Sequence, residues 1–118
     1  MNRVGFRALI LSVLDNEKVY IDTLPEKKPT PALTYSHITG NASRILSGKR
    51  VNSWDTWRVR IIGTDRAKND AIIDKLMTLD NTNDSNFKNV FVETIQAVPS
   101  DPDDKYVSSF IDFRTYDR

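Results

Sequence analysis

The chain has 118 residues, 39% of them hydrophobic and 28% charged, with 17 Lys and Arg against 16 Asp and Glu for a formal net charge of +1. That length suits one domain. The charge balance excludes a strongly basic nucleic-acid coat and an acidic disordered tail as descriptions of the whole chain. The absence of cysteine excludes a disulfide framework, a thiolate metal site and a cysteine nucleophile. The longest apolar run, residues 8–11, is far short of the roughly 20 residues of a membrane span, and no secretory leader is legible, so the expectation is an intracellular domain.

In chain order, residues 2–14 carry Phe6, Leu9, Ile10, Val13 and Leu14 at three-four spacing, with Arg3, Arg7 and Ser12 on the other side. The spacing predicts an amphipathic helix, with Asn2 as its N-cap. A short β-type run, Val19-Tyr20-Ile21, comes next. Pro25, Pro29 and Pro31 then fix backbone angles and remove donors, which predicts an extended connection. Residues 32–39 read as a strand stopped by Gly40-Asn41. Residues 41–50 read as a loop unusually long and polar for a hairpin, and extra length of that kind points to an interaction loop.

Residues 51–62 form a long strand in which Trp57, Val59 and Ile61 alternate with Arg58 and Arg60. One face is therefore buried and the other wetter. Trp54 and Trp57 differ in parity, so Trp57 belongs to the core and Trp54 to the face shared with Arg58 and Arg60. Asp65 is the expected N-cap of a second helix, with Ala67, Ala71, Ile72, Leu76 and Leu79 as its inner stripe. An Asn/Asp-rich loop over 80–89, a strand over 90–98, a turn over 99–104 and a closing strand over 106–116 complete the chain. Two helices and four or five strands joined largely by hairpins make an α+β fold: a two-layer sandwich with a mostly antiparallel sheet, in a single domain over 1–118.

The search for chemistry finds little. His37, the only histidine, sits inside a predicted strand, with neither a serine elbow nor further metal donors to join it. The four glycines lack the spacing of a dinucleotide fingerprint, and Gly48-Lys49 lacks the rest of a phosphate loop. A calcium loop begun at Asp80 has Ser85 where glycine belongs and Phe91 where the closing glutamate belongs. No catalytic residue, cofactor site or metal site is expected. Charge is polarised along the chain. Residues 1–62 hold ten Lys and Arg against five Asp and Glu, while residues 63–118 hold seven against eleven. Two solvated halves account for that, and so does head-to-tail self-association between a basic and an acidic edge. Trp54, Arg58 and Arg60 fit the anchor of a protein interface, where Trp and Arg are enriched. They also fit a stacking surface for single-stranded nucleic acid.

The opening helix, Val19-Tyr20, the proline-rich step, Pro31-Ala32-Leu33-Thr34-Tyr35 and the polar loop form the first part of a familiar order. Trp57-Arg58-Val59-Arg60-Ile61, the helix with Ala71, Ile72 and Leu76, and Phe110-Ile111-Asp112-Phe113-Arg114-Thr115-Tyr116 complete it. This order resembles the small tail-completion proteins of long-tailed bacteriophages, also called tail terminators or tail-to-head joining proteins, over about residues 6–116. The resemblance implies a non-enzymatic virion protein of the tail or neck, assembled in the host cytoplasm, with no cofactor and no membrane contact. Its implied partners are copies of itself in a ring (usually a hexamer), the tail tube protein and the head's connector or completion protein. Under that reading Arg44, Ile45, Leu46, Lys49 and Arg50 are the expected contacts to the tube or lumen. Non-specific contact with passing DNA is also expected there. Trp54, Arg58 and Arg60 become the expected subunit interface. A head-side neck adaptor or stopper and a small nucleic-acid-binding module are the alternatives.

Overall fold

The computed structural model describes residues 2–14, 18–21, 31–44, 50–99 and 105–117. Helix α1 spans Arg3–Leu11 and starts as its sequence requires: the Asn2 side chain accepts from the Gly5 N–H at 2.8 Å. Strands β1 (Lys18–Ile21), β2 (Ala32–Arg44) and β3 (Arg50–Gly63) follow, then α2 (Arg66–Met77), β4 (Phe87–Val98) and β5 (Val107–Asp117). The five strands form one sheet in the order β1-β2-β3-β5-β4. Every neighbouring pair is antiparallel except β1 and β2, which run parallel. The α+β two-layer class holds. Hairpins do not account for every connection, however, because a tight hairpin cannot join the parallel pair β1 and β2, and the proline-rich residues 22–30 between them lie outside the described residues.

Both helices lie against one face of the sheet. Phe6 of α1 stacks on Trp57 with ring centroids 4.6 Å apart and planes 7° from parallel, and its edge meets Tyr35 and Phe113. Leu9, Ile10, Leu33, Val59, Ile61, Ile72, Ile73, Leu76, Val90 and Ile111 fill the same core. Trp57 keeps its polar atom satisfied in that apolar layer by donating from Nε1 to Thr115 Oγ1 at 2.8 Å.

Two local expectations are corrected. The inner stripe of α2 is Asn69, Ile72, Ile73 and Leu76, while Ala67 and Ala71 are exposed. The cause is Arg66, whose Nη1 donates to the Ser108 carbonyl and Ser109 Oγ and whose Nη2 donates to the Val98 carbonyl. Those bonds turn positions 66, 69 and 73 toward the sheet, and alanine is too small to oppose them. The second correction concerns the long loop over 41–50. Asn41, Ala42, Ser43 and Arg44 are strand, paired with Trp54, Ser53, Asn52 and Arg50. The backbone pairing of β3 carries the polar segment through Gly40-Asn41 as far as Arg44, and residues 45–49 of the expected loop lie outside the described residues.

Candidate assembly surface

The sheet face turned away from the helices collects the interface residues expected from the sequence. Trp54, Arg58 and Arg60 alternate along β3 on that face, opposite Trp57, as their parity requires. Cross-strand neighbours on β5 and β4 complete the surface. Arg58 sits beside Asp112 in register and makes a two-pronged contact, Nε to Oδ1 at 2.9 Å and Nη2 to Oδ2 at 3.1 Å. Its Cζ lies 4.0 Å from the centroid of the Phe110 ring. The hydrogen bond to Asp112 raises the Arg58 guanidinium further above its ordinary value, with burial opposing this more weakly.

Arg114 repeats the arrangement one step along the sheet. Its Cζ lies 4.3 Å from the Trp54 ring centroid, and its Nε forms an ion pair with Glu93 Oε1 at 2.6 Å without hydrogen-bond alignment. Phe91 meets Tyr116 edge-on at 6.1 Å. Phe110 and Trp54 are thus each capped by a guanidinium, that of Arg58 or Arg114, which a carboxylate neutralises. Arg60 is exposed and takes no such partner among the described residues.

The expected loop residues occupy a different place. The last β3–β5 pair on this side is Trp54↔Tyr116, and beyond it β2 and β3 continue as a two-stranded ribbon. The ribbon ends on the rung Arg44↔Arg50, which puts two basic residues opposite one another. Ile45, Leu46 and Lys49 lie outside the described residues. With a longest dimension of 57 Å against 23 Å in the other two, the molecule is drawn out rather than spherical.

The remaining polar groups have local duties. His37 Nε2 lies 2.7 Å from Asp55 Oδ1, and its ring meets the edge of Trp57 at 5.1 Å. This half-buried pair closes one end of the core. Asp80, the start of the tested calcium loop, accepts from the Val92 N–H at 2.8 Å. Asp84 accepts from the N–H groups of Asn86 and Phe87, an Asx turn that launches β4. Among the described residues no three His, Asp or Glu side chains are grouped so as to hold a metal ion.

Sequence reasoning missed Glu93, Phe110, Asp112 and Arg114 as partners of the expected interface residues. Alternation within residues 107–117 signals which of them share a face, but not that β5 lies between β3 and β4. No protein-family model matches the chain, and no curated protein matches it either.

Proposed function

We propose that the protein is a structural virion component that caps the phage tail tube as a ring, ends tube polymerisation and offers the surface on which head and tail join. The observation that carries this reading is the ribbon of residues 41–44 and 50–53, which runs on beyond the end of β5. A two-stranded arm that ends on the rung Arg44↔Arg50, with Ile45-Leu46 next in the sequence, is suited to reach a neighbouring molecule. In the proposed assembly Arg44, Ile45, Leu46, Lys49 and Arg50 contact the tube or line the lumen. There they attract the phosphates of passing DNA without reading its sequence. Basic residues 1–62 of one copy face acidic residues 63–118 of the next, a heterologous contact that closes into a ring, in the family usually of six. The head-side connector binds the opposite rim. No reaction and no cofactor enter the role.

The alternative of a nucleic-acid module is less well supported. A base stacking on Trp54 or Phe110 has to displace Arg114 or Arg58, each already paired to a carboxylate. Deleting residues 43–49 tests the proposal. The shortened protein is expected to keep its circular dichroism and melting transition while tails assembled with it remain uncapped and headless in electron micrographs. Normal capping by the deletion variant refutes the ribbon's role. Binding of the intact protein to portal particles but not to free tube ends favours the head-side adaptor.

A further inference from the structure

We infer that neighbouring copies join by pairing the β4 edge of one sheet with the β1 edge of the next, antiparallel, in the register Ile21↔Ile95 and Val19↔Ala97. The inference rests on the ring reading for its closure, and it goes further by naming the joint. Four observations carry it.

First, β4 has a bare stretch. Its outer side is covered at Val90 and Val92, where Thr82 and Asn81 exchange backbone bonds with Val90 and Asp80 takes the Val92 N–H. From residue 94 to 97 no strand or loop among the described residues lies alongside, while Arg66 takes the Val98 carbonyl. Second, between the bulge at Glu93 and Pro99 the strand itself carries no charge and no proline. Natural edges are blunted with lysine, proline or inward charges, whereas Thr94-Ile95-Gln96-Ala97-Val98 is uncharged and Ile95 is 44% exposed. Third, the opposite edge matches it in face. Ile21 of β1 points to the same side of the sheet as the helices and is 48% exposed.

The fourth observation is the register. Ile21 pairs with Tyr35, Tyr35 with Val59, Val59 with Ile111, and Ile111 with Ile95. These five residues form one row across the sheet, buried at its three inner positions and open at both ends. A second row runs Val19, Leu33, Ile61, Ser109, Ala97. The strand directions place β1, β2 and β5 one way and β3 and β4 the other, so the two outer edges are antiparallel. A rotation about an axis along the strands, with no rise, therefore brings Ile95 of one copy level with Ile21 of the next. It brings Ala97 level with Val19 in the same step. Both isoleucines are on the helix-bearing side, so the joint extends the core layer from subunit to subunit, and a rotation without rise closes instead of growing a filament. Because β1 has only four residues, the joint is short. Assembly through it depends on concentration or on a template.

The chain's lack of cysteine makes the test clean. Ile21→Cys and Ile95→Cys are made singly and together and oxidised, both as concentrated free protein and on tail particles. The double variant is expected to give a ladder of covalent oligomers. A mixture of the single variants should give covalent dimers only, and each single variant alone none. Tyr20→Cys, on the opposite face, should not link to Ile95→Cys. Dimers from Ile95→Cys alone, or no link between Ile21→Cys and Ile95→Cys in both preparations, overturn the inference. Ile95→Lys is a second arm: it leaves folding intact at an exposed position and is expected to abolish oligomers. Capped tails without cross-links refute the joint and leave the capping role standing. A ladder from a protein whose loss leaves tails normal refutes the role and leaves the joint standing.

Discussion

Gly63 closes β3 where the chain turns into α2, and the sharpest stability prediction concerns that position. A Cβ built on Gly63 comes within 2.6 Å of Asn69 Oδ1, closer than real Cβ contacts allow. Asn69 cannot swing away freely, since it is fully buried and its Nδ2 donates to the Val107 carbonyl at 3.2 Å. Gly63→Ala must therefore shift the helix or break that bond, and overpacking of this kind costs about 2 kcal/mol. Asn69→Ala loses the bond and some packing but also removes an Oδ1 that has no hydrogen-bond partner, so its cost is about 1 kcal/mol. In the double variant the added methyl occupies the space the amide vacated. The combined cost should be about 1 kcal/mol instead of the about 3 kcal/mol of simple addition, a coupling of about 2 kcal/mol. Urea denaturation of the four proteins, with equal m-values, measures it. Additive costs would show that the two positions do not compete for the same volume.

Phe6→Ala removes the ring that ties α1 to Tyr35, Trp57 and Phe113 and should cost about 4 kcal/mol, a large part of a domain's net stability, read from the same urea transitions. On the outer face, Arg58→Ala should destabilise more than Asp112→Ala. The first strands a largely buried carboxylate, at about 2 kcal/mol, while the second frees a half-exposed guanidinium to turn to water, at about 1 kcal/mol or less. Equal costs in paired melts at low and high salt would mean that Asp112 is hydrated without its partner.

Some of this structure is legible in the residues. The stripe Phe6, Leu9, Ile10 and the Asn2 cap define α1 because local spacing and a local hydrogen bond decide it. The alternation around Trp57, Val59 and Ile61 separates the faces of β3 for the same reason. What stays hidden is set by distant partners. Nothing in Val19-Tyr20-Ile21 says that it pairs parallel to β2. Nothing in Asn41-Ala42-Ser43 overcomes its loop-like composition until β3 supplies the ladder. The rotation of α2 depends on Arg66 reaching carbonyls 32 and 42 residues away. The parity of Trp54, Arg58 and Arg60 gives their common face, but their engagement with Asp112 and Arg114 depends on the strand order β3-β5-β4.

The dimensions of the two layers explain why the edges and the ribbon are the parts left over. Helices of 9 and 12 residues are only about 14 and 18 Å long, while strands of 11 to 14 residues run to about 36–46 Å. Two short helices cannot cover such a sheet. The uncovered area is managed differently in each place. On the outer face, arginines lie over Trp54 and Phe110 and carboxylates neutralise them, so apolar rings are shielded and the surface stays wettable without a partner. At Val90 and Val92, the segment Asp80-Asn81-Thr82 folds back to occupy the edge. Among the described residues neither device reaches residues 94–97 or Ile21. The outer face is thus satisfied within one subunit, whereas the row Ile21–Tyr35–Val59–Ile111–Ile95 is exposed at both ends, where the proposed joint would cover it with a neighbouring strand. For that reason association should proceed through the sheet's borders, and substitutions at Arg58 should change stability more than they change assembly.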